Sequence, residues 1–113
     1  MAARLTKATD LADHPARAIA VDWAGQLRRD RRRSDHTVRA YLATAHRLID
    51  FLGTHRAAAI DGAALKRIEA AELRAFLAAR RGEGLGSSSA ARELSALRGF
   101  LAFAGAELPH LKG

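Results

Sequence analysis

Residues 34–53 read SDHTVRAYLATAHRLIDFLG, and this stretch decides the fold. Ser34 carries a short hydroxyl side chain of the kind that accepts a backbone N–H at a helix start. Asp35 falls in the first turn, where the helix dipole favours a negative charge. At about 100° per residue, Val38, Tyr41, Leu42, Ala45, Leu48, Ile49 and Leu52 fall on one side, so the segment is an amphipathic helix with one dry face. Gly53 is expected to close it. The single tyrosine, Tyr41, sits in the middle of that face, where a core ring is its expected role.

A helix with one dry face needs partners, and the flanks supply them. Upstream, Pro15 suits a first helical turn, and Ile19, Trp23 and Leu27 recur four apart before the run Arg28-Arg29-Asp30-Arg31-Arg32-Arg33. Downstream, residues 54–68 read as an Ala-rich connection with a turn at Asp61-Gly62. A third helix is expected over residues 70–81, burying Leu73, Phe76 and Leu77. The cluster Gly82-Glu83-Gly84-Leu85-Gly86 ends it. Ser87, Ser88 and Ser89 then open a fourth helix with Ala90, Leu94, Leu97, Leu101 and Ala104 on its core side, until Leu108-Pro109 stops the pattern. Alanine, leucine and arginine dominate while aromatic residues make up 5% of the chain, which favours helices over strands. At 113 residues the chain has room for one domain with a real core. A flexible tail over residues 1–14 and a helical body over residues 15–108 are expected.

Charge narrows the partner. Lysine and arginine total 19 against 12 acids, for a net +7. A sequence pI near 11.2 belongs to a chain that meets a polyanion. The charge is concentrated: residues 28–47 hold seven arginines against two aspartates. Opposite the dry face of the second helix, His36, Arg39, Ala43 and Arg47 form a basic stripe. On the fourth helix, Ser88, Arg92, Ser95 and Gly99 form a stripe of mostly small residues facing away from Leu97, where a nucleic-acid backbone could approach closely. Taken singly, each feature has an ordinary explanation as a solvated face or a helix cap. Their coincidence on one basic chain points to duplex DNA, with two helices suited to adjacent major grooves.

Other chemistries lack their parts. There is no cysteine, hence no disulfide framework and no thiolate metal site, and a cytoplasmic location is expected. No stretch approaches the ~20 apolar residues of a membrane span, and neither signal peptide nor membrane anchor is expected. His14, His36, His46, His55 and His110 show no metal-ligand spacing, and His46 with Asp50 reads as a surface pair. No G-x-S-x-G elbow occurs. The glycine cluster follows a helix instead of a strand and lacks the Lys-Ser/Thr of a phosphate loop. No catalytic residue, metal, cofactor or small-molecule substrate is therefore expected.

Two blocks resemble a known family. Ser34-Asp35-His36-Thr37, Tyr41 and Leu48-Ile49-Asp50-Phe51-Leu52 are similar to the S-x-x-T-x-x-x-Y…F-L pattern of the N-terminal, core-binding domain of tyrosine recombinases and phage-type integrases. Residues 84–101, GLGSSSAARELSALRGFL, resemble the G-L-S/G-x-x-S-x-A-R-x-L-S-A-L-R-x-F-F segment of the Xer recombinases, the XerC group most of all. The resemblance covers residues 16–108. It implies an all-α fold, a compact SAM-like bundle of four to five helices that forms half of a clamp on duplex DNA through its second and fourth helices. It implies DNA contacts at Thr37, Arg39, Ser89, Arg92 and Arg98. With the stripes and the arginine run, the expected contact set is Arg31, Arg32, Arg33, Ser34, His36, Thr37, Arg39, Arg47, Ser88, Ser89, Arg92, Ser95 and Arg98.

The family's nucleophilic tyrosine belongs to a separate C-terminal domain. The resemblance thus implies that residues 109–113 begin an interdomain linker, that the catalytic domain is absent and that this chain is not itself an enzyme. Tyr41 is not the nucleophile. The full-length partners implied are a XerD-like sister recombinase and a DNA translocase, with chromosome dimer resolution as the process. A mobile-element integrase would use the same domain. The rival from another class is a helical protein-interaction module with a basic surface, but the stripe on the fourth helix has none of the aromatic or Met anchors such an interface would show.

Overall fold

The Ser34 Oγ accepts the Thr37 N–H at 3.1 Å, the N-cap that its sequence predicts. The computed structural model describes residues 14–30 and 32–107. Arg31, residues 1–13 of the expected 1–14 tail, and Leu108-Pro109 with the expected linker lie outside the described residues, whereas His14 is described and buried. Five helices follow one another: α1 (Ala16–Arg29), α2 (Asp35–Arg56), α3 (Gly62–Lys66), α4 (Ala70–Gly82) and α5 (Ser87–Phe103). No strand occurs among the described residues, so the fold is all-α.

The centre of the bundle is α2, which packs against α1, α4 and α5, while α4 and α5 also meet each other. Its dry face is the predicted one: Val38, Ala45, Leu48, Ile49 and Leu52 are buried. Each fully buried leucine or isoleucine there contributes about 1.5–3 kcal/mol relative to exposure. Trp23 and Leu27 of α1, Leu73 and Phe76 of α4, and Leu97, Phe100 and Leu101 of α5 complete the same core.

Five expectations need correction. Gly53 does not end α2, which continues to Arg56. A Cβ at position 53 would stand 2.5 Å from Cε1 of the buried His14, so the glycine serves close approach and not termination. The helix ends instead on Ala57 in the left-handed region at φ 53°, with the Ala58 N–H donating to the Gly53 carbonyl at 3.2 Å. Residues 54–68 are not a plain connection either. Asp61 caps α3 by accepting the Ala64 N–H at 2.8 Å, and Ile60, Leu65 and Ile68 are buried.

The core side of α5 is rotated from the predicted one. Ala90, Leu94 and Ala104 are half-buried, whereas Glu93, Ala96 and Phe100 are buried. The rotation is possible because the Glu93 carboxylate finds cationic partners inside, which binary patterning does not anticipate. That helix ends at Phe103, before the predicted stop. Gly105 adopts φ 88°, and the Ala106 N–H donates to the Leu101 carbonyl at 2.9 Å, a Schellman closure. Lastly, Tyr41 is half-buried at the edge of the core: its ring stacks on Trp23 at 6.0 Å, and Arg33 lies over it at 5.4 Å.

His14 is 9% exposed, and its Nδ1 accepts the Ile60 N–H at 3.2 Å, while the Ala16 N–H donates to the Ile60 carbonyl at 2.9 Å. These two bonds tie the start of α1 to the segment before α3.

Candidate nucleic-acid interface

Where the first halves of α2 and α5 converge they leave an open groove of about 270 Å³. His36, Thr37, Ala40, Tyr41, Thr44 and Arg47 line it from α2; Ser89, Arg92 and Glu93 line it from α5, with Arg80 and Leu85 closing one end. The α5 wall is built from its N-terminal turns, and the α2 wall runs from its first turn to Arg47 three turns on. The Gly86 N-cap of α5 supplies no side-chain acceptor and its first turn holds no acid, so the N–H groups of Ser87, Ser88 and Ser89 have no intrahelical partner. Such a terminus carries partial positive charge and favours an anion.

The carboxylates beside the groove are neutralised from within the protein. Glu93 receives Arg80 at 2.9 Å and Arg47 at 3.3 Å, and Glu83 receives Arg80 at 2.6 Å. The Glu93 carboxylate holds the Arg80 guanidinium above the usual arginine range, with burial opposing it and Glu83 adding to it. Asp35, the acid in the first turn of α2, lies 3.6 Å from Arg28. On the far side of α2, Arg17 binds Asp50 and donates to His46 Nδ1 at 2.9 Å. What the groove presents outward is therefore hydroxyl, imidazole and guanidinium.

The model of the phage integrase N-terminal SAM-like domain matches residues 20–107. The chain belongs to that family. Among curated relatives, the tyrosine recombinase XerC of Nitrobacter winogradskyi is 36% identical over 83 residues, which cover 74% of this chain and 26% of the relative. XerC of Methylobacterium sp. (strain 4-46) is 44% identical over 87 residues, again 74% of this chain and 26% of the relative. XerC of Agrobacterium fabrum is 43% identical over 82 residues, 70% of this chain and 25% of the relative. The chain thus spans about a quarter of the length of these relatives. No solved structure matches it significantly.

In this integrase SAM-like domain, the groove brings together His36, Thr37, Arg47, Ser89 and Arg92 of the expected contact set. Ser34 stands at the α2 cap, its hydroxyl also donating to Thr37 Oγ1 at 3.1 Å, and Arg92 donates to Ser89 Oγ at 3.3 Å. Arg32, Arg33, Arg39, Ser88, Ser95 and Arg98 are exposed but do not line the groove. Arg47 is occupied, bound to Glu93 and to Thr44 Oγ1 at 3.4 Å. Gly99 is exposed, but it also marks a close approach to α1: a Cβ there would be 3.2 Å from Trp23 Cζ2.

The sequence reading missed Arg80 and Glu93. They sit thirteen residues apart on different helices, so no helical spacing links them. One signal was present, since Glu93 lies one turn before Leu97 on an otherwise apolar side of α5. Among the described residues, no group of three or more His, Asp or Glu side chains could hold a metal ion, and no helix is long and apolar enough to cross a membrane.

Proposed function

We propose that this domain binds duplex DNA by laying α2 and α5 against it, as half of the DNA clamp of a XerC-type tyrosine recombinase. The observation that carries this reading is the convergence of the N-terminal turns of α5 with the first turns of α2 on one groove whose lining carboxylate, Glu93, is neutralised by Arg80 and Arg47. Phosphate oxygens are the anions that such a groove suits, with Arg92, Thr37, His36 and Ser89 as donors. Arg32, Arg33 and Arg39 extend the basic surface from the groove along the start of α2, and Ser88, Ser95 and Arg98 extend it along α5.

DNA cutting and rejoining belong, on this reading, to the parts of the recombinase beyond the stretch matched by this chain, and this domain holds DNA without breaking it. The full protein would pair with a XerD-like sister recombinase under a DNA translocase and serve site-specific recombination. A fluorescence titration against a recombination-site duplex and a scrambled duplex, each at two salt concentrations, tests the reading. Salt-dependent binding that prefers the site is expected. Absence of binding to either at low salt would overturn it and favour a partner-protein surface.

A further inference from the structure

Resting on that reading of the groove, a second inference concerns its floor, where one buried carboxylate is held by two guanidinium groups of unequal grip. Arg80 holds Glu93 by a fork, Nε to Oε1 at 3.1 Å and Nη2 to Oε2 at 2.9 Å, and is itself mostly buried. Arg47 reaches the same carboxylate through Nη1 alone, at 3.3 Å, with Thr44 Oγ1 at 3.4 Å, and its side chain is 43% exposed. Both Arg47 contacts are at the long edge of hydrogen bonding, whereas a guanidinium–carboxylate fork is among the strongest side-chain pairings.

The consequence is an asymmetry. With Arg80 in place, Glu93 keeps its fork and its counter-charge when Arg47 departs. Without Arg80, departure of Arg47 would strand a buried carboxylate, which is strongly unfavourable. We propose that Arg80 is a positioning residue that frees Arg47 for DNA. In the unbound domain Arg47 rests on Glu93, pre-oriented at the groove; when a duplex docks it transfers to a backbone phosphate, and Arg80 keeps Glu93 satisfied.

The test is fluorescence anisotropy with a labelled duplex of mixed sequence, titrated between about 50 and about 200 mM salt. Each variant is first checked for folding by circular dichroism. Removing one phosphate contact makes the slope of log affinity against log salt shallower by ~0.9, so Arg47→Ala loses about 3.5-fold less affinity than the unsubstituted chain over that range. Arg80→Met is expected to show the same shallow slope although Arg47 is present, and adding Glu93→Gln to it is expected to restore the steep slope. A folded Arg80→Met with an unchanged slope, or failure of Glu93→Gln to restore it, would overturn the inference.

Should Arg80→Met not fold, side-chain NMR of the unsubstituted protein decides the matter: duplex is expected to move the Arg47 Nε–H signal and leave that of Arg80 in place, and the reverse contradicts the inference. If the unsubstituted chain binds duplex while Arg47→Ala leaves the slope unchanged, the inference alone falls. If the unsubstituted chain binds no duplex, the DNA reading falls and takes the inference with it.

Discussion

A Cβ placed on Gly99 would stand 3.2 Å from Cζ2 of Trp23. Trp23 is 3% exposed and held between Tyr41, stacked at 6.0 Å, and Phe100 at 5.4 Å, so it has little room to yield. A branched side chain at position 99 must push this ring or part α1 from α5. Gly99→Val is therefore expected to destabilise the fold by about 2 kcal/mol in urea unfolding, with Trp23 emission shifted to the red.

At Gly53 the neighbour is His14, whose Cε1 would lie 2.5 Å from an added Cβ. Gly→Ala inside a helix normally gains about 1 kcal/mol. Here it must displace a ring that accepts the Ile60 N–H, so Gly53→Ala is expected to lose about 1–2 kcal/mol instead. In a His14→Ala background the same substitution should become stabilising, and the difference between the two backgrounds, measured by chemical unfolding, reports the clash.

Ala57 is the one left-handed non-glycine residue among the described residues. The α2 closure that it makes is the same type as that at Gly105, where φ is 88° and the residue type suits the backbone. Ala57 is exposed, so nothing is lost with its methyl group. Ala57→Gly should raise stability by about 0.5–1 kcal/mol, read as a higher unfolding midpoint.

Two depressed pKa values set the response to acid. The hydrogen bond from Arg56 holds the Glu72 carboxyl below its ordinary 4.5, against an opposing effect of burial. Burial first, and then the Arg17 charge, hold His46 below its ordinary 6.5. In each case the unfolded chain binds the proton more readily than the fold does. Each contribution is therefore complete above the ordinary value and is lost as pH falls through the lower, folded one. Acidification should erode stability in an upper step beginning near 6.5 and a lower one beginning near 4.5. His46→Gln should abolish the upper step in a urea midpoint–pH profile, and Glu72→Gln the lower, at a cost near neutrality of about 2 kcal/mol.

The parts of this fold that sequence makes legible are those set by local chemistry. Ser34 announces the start of α2 because its cap bond reaches three residues ahead, and the 3.6-residue period of Val38 to Leu52 marks the buried face. Illegible were features set by distant partners. Gly53 looks like a helix end until His14 arrives from thirty-nine residues upstream. The His46–Asp50 pair looks idle until Arg17 bridges it. Glu93 contradicts the apolar pattern of α5 until Arg80 and Arg47 reach it. The stripes of α2 and α5 were readable as residue types, but their occupancy was not: Arg47 of α2 is engaged inward while Arg92 of α5 only leans on Ser89.

The central claim is that the α2–α5 face holds duplex DNA, and the most direct measurement compares the unsubstituted chain with an Arg39→Ala/Arg92→Ala double variant in a duplex titration at low and moderate salt. The account predicts weaker binding by the variant and a salt slope shallower by up to ~1.8, since each arginine lost removes up to one phosphate contact worth ~0.9. Equal affinity and equal slope in a variant that remains folded would contradict it and move the DNA-binding surface elsewhere.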